Sequence, residues 1–155
     1  MKIKNDNTDD ITGSGIICYF DNREGLIEDL DNKILYLVLK DFRNKYDFTK
    51  GTIDKGEEVF KCAIRETYEE SNLDSFDFEK IYNPITINKN LVMFLGKIKH
   101  ETMLQRNNII KLKVNKHINS PEHKSYKFLS YEDILDIDLY LYLFPYLTEA
   151  QKILQ

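Results

Sequence analysis

The chain has 155 residues, of which 42% are hydrophobic and 31% are charged, and these proportions exclude a wholly disordered or collagen-like protein. Its net charge of −4 gives no general attraction to nucleic acid or to an anionic membrane, so we expect neither as a partner. The two cysteines, Cys18 and Cys62, lie in apolar stretches and Met1 precedes polar residues, which together predict reduced thiols, no signal peptide and a cytoplasmic location.

The hydrophobic pattern predicts strands and helices in a single domain. Residues 1–10 are polar and are expected to form a flexible N-terminus, and residues 11–155 are expected to form the domain. A strand over 33–40 is apolar at successive positions, which is typical of a strand covered on both faces. Residues 41–56 are predicted to be irregular. The other predicted strands cover 14–20, 76–82, 91–98, 109–114 and 126–129.

Two predicted helices flank this pattern. The stronger one covers 57–71 and has an apolar stripe at helical spacing. Asn72 is expected to end it, because asparagine tolerates the left-handed conformation at a helix C-cap. A helical turn at 131–136 and a closing helix over 143–154 follow. The chain order therefore predicts an α/β fold in which a sheet lies between helices.

The helix over 57–71 carries three glutamates with few positive partners. Glu66, Glu69 and Glu70 fall within an arc of roughly 100° on a helical wheel. Glu66 and Glu70 are a like-charge pair that costs an isolated helix roughly 0.2–0.5 kcal/mol, and only Glu69 has a partner, Arg65, four residues before it. A solvated acidic face is the simpler interpretation. The cluster borders the apolar stripe, however, and carboxylates close together there favour a bound Mg²⁺ or Mn²⁺.

The spacing around these glutamates matches a specific motif. Gly51 is followed by five residues and Glu57, and seven further residues lead to Arg65-Glu66. The pattern resembles the box of the Nudix hydrolase family, G-x5-E-x7-R-E-U-x-E-E-x-G-U, where U is a bulky aliphatic residue. The matching residues are Gly51, Glu57, Arg65, Glu66, Glu69, Glu70 and Leu73. Thr67 and Asn72 depart from it, but neither position binds metal in the family, so the box is interpreted as active.

The resemblance implies a Nudix α/β/α sandwich with a mixed β-sheet between helices. It also implies that Glu66, Glu69 and Glu70 bind Mg²⁺ (or Mn²⁺) beside a pyrophosphate, with the Gly51 carbonyl as a further ligand. One of these carboxylates, or a water that it orients, is expected to act as the general base. In the family the residues equivalent to Glu57 and Arg65 pair and shape the loop. The implied reaction is attack of water on a phosphorus atom of a nucleoside diphosphate linked to another group.

Residues outside the box are similar to those of the animal-type asymmetrical diadenosine tetraphosphate hydrolases. The similarity covers the first two strands, Lys50-Gly51 before the box, and the run EHKSYKFL over 122–129, which is similar to E-H-x-x-Y-x-W-L. Tyr46 replaces the tryptophan of the family's W-x-P-P-K-G and both prolines are absent. The resemblance implies hydrolysis of diadenosine tetraphosphate to ATP and AMP, with Glu122 as a further catalytic and metal-binding residue.

Substrate contacts are predicted from residue type. Lys50 and Lys89 are candidate phosphate contacts, because an acidic protein must offset the charge of a tetraphosphate locally. Tyr82 and Tyr126 are candidates to stack on adenine. Solvated lysines and packed tyrosines are the simpler interpretations of these four residues.

Two other classes of function stay open. The first is a different Nudix substrate, such as an RNA 5′ end or cap, a dinucleotide cofactor or an inositol pyrophosphate, although the basic cluster over 111–127 is modest. The second is a catalytically silent nucleotide-binding module, against which the intact Arg65-Glu66 and Glu69-Glu70 pairs argue. The expected partner is a small nucleotide, and we expect a monomer.

Overall fold

A computed structural model of the chain describes residues 10–115 and 118–155, in which a mixed sheet lies between helices. The expectation of a flexible N-terminus falls, apart from Asp10, on residues 1–9, outside those described. The strands are β1 (Gly13–Asp21), β2 (Ile34–Asp41), β3 (Tyr46–Asp47), β4 (Thr49–Thr52), β5 (Phe78–Ile81), β6 (Ile85–Thr86), β7 (Leu91–Ile98), β8 (Val114–Asn115), β9 (Ser120–Pro121) and β10 (His123–Ser130). The helices are α1 (Val59–Ser71), α2 (His100–Leu104), α3 (Arg106–Ile109), α4 (Tyr131–Ile134) and α5 (Phe144–Leu154). Across these described ranges, none of the helices has the length and apolar character needed to cross a bilayer.

The sheet is mixed because one of its pairs is parallel. Its main order is β10-β2-β1-β7-β5, in which β1 and β7 run parallel and the other neighbours run antiparallel. The short strand β6 also pairs with β7, and β8 and β9 form a separate two-stranded sheet. The α/β class with a mixed sheet, predicted from the sequence, is confirmed.

The two faces of the sheet bury different side chains, because alternate residues of a strand point to opposite sides. On one face Ile16 and Cys18 of β1 pack with Ala63 of α1. On the other face Ile17 of β1 packs with Leu147 of α5. The apolar character of β2 at successive positions follows from this double coverage, as the sequence predicted.

The strands β3 and β4 fill a gap between β1 and β2. The first half of β1, residues 13–16, pairs with β4, whereas its second half, residues 19–21, pairs with β2. In turn β3 pairs with β2 at Leu39 and Lys40. The prediction that 41–56 is wholly irregular is therefore wrong, because pairing with distant strands, and no local pattern, makes β3 and β4 extended.

The helix α1 ends where the sequence predicted. Asn72 has φ 70°, in the left-handed region, and its N–H donates to the carbonyl of Tyr68. Its side-chain amide also donates to the carbonyl of Ile109 over 2.8 Å. The helix begins at Val59, two residues later than predicted, with Glu58 as the N-cap in extended conformation.

The segment 109–114 is not the predicted strand. Residues up to Ile109 belong to α3, and the next N–H groups donate to carbonyls of helices, from Ile110 to Arg106 and from Lys111 to Ser71. Extended pairing begins only at Val114. The apolar and basic pattern indicated a strand, but the hydrogen bonds of this segment go to the end of α1 and to α3.

Candidate active site

A cavity of about 860 Å³ lies between α1, β4 and the segment 112–115. It contains seven of the residues predicted from the sequence, namely Lys50, Gly51, Arg65, Glu66, Glu69, Glu70 and Glu122. The other lining residues are Thr52, Asp54, Tyr68, Leu112, Lys113, Val114, Asn115 and His123. Residues separated by up to 73 positions in the chain thus meet around one acidic space.

Gly51 permits a close approach between β4 and α1. A Cβ atom at this position would lie 2.0 Å from Cδ of Glu66 and 2.1 and 2.3 Å from its two carboxylate oxygens. No side chain other than hydrogen fits there without displacing the carboxylate. The requirement at position 51 is space, because its backbone is not in the left-handed region. The Glu66 carboxylate therefore lies against the backbone of Gly51.

Arg65 organises the acidic side of the cavity. Its Nε and NH2 donate to the two carboxylate oxygens of Glu57 over 2.8 and 2.9 Å, and NH2 also donates to the Thr52 carbonyl over 2.9 Å. Its NH1 donates to Glu66 over 2.9 Å and to Glu69 over 3.2 Å. The guanidinium fork joins the loop before α1 to two carboxylates of the helix, as a bidentate arginine can.

Three further groups of the cavity lining lie close to one another. Single ligand atoms of Glu70, Glu122 and His123 all lie within 4.8 Å of one another. The backbone N–H of Lys50 donates to Glu70 over 2.9 Å, and Asn115 donates to Glu122 over 3.0 Å. Residues of β4 and β8, which are far apart in the chain, thus hold these two carboxylates.

Burial shifts the pKa values of three side chains in the cavity. Desolvation raises the pKa of Glu66 to about 7, against the opposing effect of Arg65. Desolvation and a hydrogen bond to Glu122 raise the pKa of Glu70 well above its usual range. Desolvation lowers the pKa of His123, which favours the neutral imidazole. Without a cation, these groups are costly to hold ionised together.

The donor set fits a divalent ion. The cavity lining has five carboxylates and three cationic side chains, and the Arg65 cation is already committed to Glu57. Carboxylate and backbone oxygens are the ligands that Mg²⁺ prefers. The lining therefore carries a net negative charge, which a bound divalent cation would offset.

A second, smaller cavity of about 290 Å³ shares Lys50, Gly51 and Thr52 with the first. Tyr142 lines it, together with Thr12, Gly13, Asn88, Asn90 and Leu91. The Lys50 Nζ lies 5.4 Å from the centroid of the Tyr142 ring and 3.1 Å from Oδ2 of Asp47. The lysine predicted to contact phosphate therefore stands between the two cavities.

Asp47 is the buried partner of Lys50. Its Oδ1 is buried and has no hydrogen-bond partner among the described residues. Desolvation raises the pKa of Asp47 to about 6, although Lys50 opposes this shift. The pKa of Lys50 is raised, because the nearby Asp47 carboxylate outweighs the lowering effect of burial.

Three of the predicted substrate contacts lie outside both cavities. The exposed Lys89 has its Nζ 3.8 Å from Oδ2 of Asp10. Tyr82 hydrogen-bonds through its hydroxyl to Tyr19 over 3.0 Å. The Tyr126 hydroxyl donates to Asn107 over 3.0 Å. Their roles in binding stay predictions.

Tyr68 and Lys113 line the larger cavity but were not predicted as site residues. Tyr68 lies about 160° around the helical wheel from Glu66, so helical spacing does not place it in the same site. The Nζ of Lys113 lies 3.2 Å from the centroid of the Tyr68 ring, a cation–π contact that joins the segment 112–115 to α1. Only the path of the chain after α3 brings this pair into the cavity.

Comparison with known families gives one match. The model of the NUDIX domain matches residues 24–147, which is most of the chain. A search of curated proteins finds no relative with significant sequence similarity.

Comparison with solved structures shows the same fold. A binary complex of C. elegans Ap4A hydrolase superposes with a TM-score of 0.66 at 21% identity, over 93% of this chain and 97% of that one. The NUDIX domain of Shewanella oneidensis NrtR, complexed with ADP ribose, gives 0.65 at 11% identity over 94% and 88%. MutT protein from Methanosarcina mazei gives 0.59 at 16% identity over 94% and 95%.

Proposed function

Because the chain belongs to the Nudix family, we propose that it is a divalent-metal-dependent pyrophosphohydrolase and that its substrate is diadenosine tetraphosphate. The observation that carries this proposal is the single acidic cavity in which the box glutamates meet Glu122. An intact set of carboxylates supports hydrolysis over a silent nucleotide-binding module, which has no need of them. We propose that one Nudix domain over 11–155 performs the reaction as a monomer, in the cytoplasm, where the buried Cys18 and Cys62 stay free thiols.

The residues proposed to hold Mg²⁺ or Mn²⁺ are Glu66, Glu69, Glu70 and Glu122, with the carbonyl of Gly51. A divalent ion bound by them neutralises the charge that develops on the phosphoryl oxygens. Arg65 holds Glu66 and Glu69 in place, and the N–H of Lys50 holds Glu70. Water attacks a phosphorus atom, one bridging P–O bond breaks, and a cavity carboxylate takes the proton of the water.

The two adjoining cavities support a long polyphosphate substrate. They meet at Lys50, Gly51 and Thr52, so a chain of phosphates at the larger cavity can continue past Lys50 into the smaller one. Each cavity has one partly exposed tyrosine ring, Tyr68 in the larger and Tyr142 in the smaller. Two rings in two connected spaces suit a substrate with an adenosine at each end.

The sequence predicted two other tyrosines, Tyr82 and Tyr126, as the residues that stack on adenine. We propose that Tyr68 and Tyr142 contact adenine, because they line the cavities and the other two tyrosines do not. Replacement of each tyrosine by alanine tests the choice. Loss of a stacking ring is expected to raise KM by roughly fivefold, from about 1 kcal/mol of lost stacking, with little change in kcat. A larger KM effect for Tyr126→Ala than for Tyr68→Ala and Tyr142→Ala would return the role to the original prediction.

The experiment that tests the function is turnover of a panel of compounds with identification of products. The panel contains diadenosine tetraphosphate, ADP ribose, a dinucleotide cofactor, capped RNA and an inositol pyrophosphate, each with Mg²⁺ and with Mn²⁺. We expect diadenosine tetraphosphate to turn over fastest and to give ATP and AMP in equal amounts. Two molecules of ADP would reject asymmetrical cleavage, and faster turnover of another compound would assign a different substrate.

A matched pair of variants links the activity to the cavity. Glu122→Gln removes a charge that lies near Glu70, and we expect turnover to fall by about two orders of magnitude. Glu79→Gln also removes an exposed charge, which pairs with Lys97 away from the cavity, and activity should be unchanged. Equal activity of the two variants would show that Glu122 has no part in the reaction.

A further inference from the structure

We propose that His123 binds a divalent ion directly and, with Glu70 and Glu122, forms a position that selects Mn²⁺ over Mg²⁺. The inference rests on the metal dependence of the proposed function, to which it adds a nitrogen ligand. The box and its resemblance predict only oxygen ligands for the metal.

A β-bulge places His123 in the cavity. In β10, Tyr126 pairs with Leu39 and packs on the face of the sheet that α1 covers. In a regular strand Lys124 would share that face and His123 would point to the opposite one. The register shifts between His123 and Ser125, so that His123 pairs with Asp41, two residues beyond Leu39. The shift turns His123 towards α1 and its carboxylates, as bulges near functional sites do.

The imidazole of His123 is buried, but no described residue forms a hydrogen bond with it. His123 is 5% exposed, and it lines the acidic cavity. Neither ring nitrogen makes a hydrogen bond to any residue within 10–115 or 118–155. Because His123 lines the cavity and forms no hydrogen bond to a described residue, its ring nitrogens are available to a ligand that enters the cavity. One ring nitrogen lies within 4.8 Å of a carboxylate oxygen from each of Glu70 and Glu122, which is a span that one ion can bridge.

The mixed donor set determines which ion fits. Imidazole nitrogen favours first-row transition ions, whereas Mg²⁺ prefers oxygen ligands and octahedral geometry. The Gly51 carbonyl, Glu66 and Glu69 offer only oxygen, so the two positions differ in chemistry. The position defined by Glu70, Glu122 and His123 should therefore bind Mn²⁺ more tightly than the position formed by Gly51, Glu66 and Glu69 does.

Electron spin echo measurements on the wild-type protein with MnCl₂ alone test the proposal directly. A nitrogen bound to Mn²⁺ gives a nuclear coupling that an oxygen ligand does not give. We expect this coupling in the wild type, its loss in His123→Gln, and its retention in His100→Gln. His100 is the matched control, because it is an exposed histidine that stacks on Phe20 at 6.2 Å between ring centroids. Absence of the coupling in the wild type would overturn the proposal, even if the His123 variant does not fold.

Calorimetric titration measures the selectivity. His123→Gln replaces a nitrogen ligand by an amide oxygen, so we expect Mn²⁺ affinity to fall about tenfold or more. Mg²⁺ affinity should change less than about threefold, since Gly51, Glu66 and Glu69 keep their oxygens. An equal loss for both ions, or no loss for either, would overturn the assignment of selectivity to His123.

The outcome is distinguishable from failure of the proposed function. Nitrogen-coordinated Mn²⁺ in a protein that cleaves none of the panel would refute the hydrolase proposal and support the ligand role of His123. Cleavage of diadenosine tetraphosphate without any nitrogen coupling would do the reverse.

Discussion

The substitution Gly51→Ala should damage metal binding while it leaves the fold intact. The new Cβ would lie 2.0 Å from Cδ of Glu66, whereas ordinary contacts begin at 3.4 Å, so the carboxylate must move. A shift of more than about 1 Å at such a group can cost about 100-fold in rate. The three nearest atoms all belong to the flexible end of Glu66, and the backbone conformation at 51 suits alanine. The free energy of unfolding should therefore change by less than about 1 kcal/mol.

Gly56→Ala is the control, because it should lower stability and leave metal binding unchanged. Gly56 has φ 78°, and a Cβ atom added to it would have no described neighbour within 4 Å, so an alanine there meets no clash but strains the backbone. It should cost about 1–2 kcal/mol in urea unfolding and leave Mg²⁺ affinity unchanged. Calorimetry and urea unfolding on both variants give the comparison. Wild-type Mg²⁺ affinity in Gly51→Ala would refute the close approach of Glu66 to Gly51 as a requirement of the site.

Three further predictions concern charge and the helix end. Glu70→Gln should lower turnover at saturating Mg²⁺ by about two orders of magnitude or more. It should not lower the melting temperature, because a costly buried charge is removed. Near-normal turnover would contradict the role of Glu70. Asn72→Val should cost about 1–2 kcal/mol in urea unfolding, since φ is 70° and the bond to Ile109 is lost; a cost no greater than that of Asn72→Gly would refute this account. The pKa of Asp47 is about 6 when folded and about 3.9 when unfolded, so the folded state binds the proton more tightly and the wild type loses stability as pH rises from about 4 to 6. This loss, on the order of 2–3 kcal/mol, should be absent from melts of Asp47→Asn, and parallel pH profiles would contradict it.

Local patterns in the sequence were enough for the elements that carry the box. The helix that ends at Asn72 follows from its apolar stripe and its cap, because both depend on residues within a few positions. The double coverage of β2 follows from its continuous apolar run. The fixed spacing between Gly51 and Leu73 predicted the family. The match of the NUDIX domain model to residues 24–147 confirms it.

Local sequence patterns could not predict hydrogen bonding between segments that are far apart in the chain. The strands β3 and β4 exist because β1 and β2 separate and leave edges to pair with. The segment 109–114 has the composition of a strand, yet its N–H groups bond to helix carbonyls. In both segments the hydrogen-bond partners lie far away in the chain. The intrinsic strand propensity of the residues is too weak to override them.

The fold class, the box and the residues from which a metal site can be built were predictable from the sequence, because the spacing of the box along one helix and one loop identifies the family. Which side chains share the cavity depends on the path of the folded chain. The tertiary structure added Tyr68 and Lys113 through the path of the chain after α3. It turned His123 towards α1 through a one-residue shift in register, and such a shift reverses the face of a side chain without any change in composition.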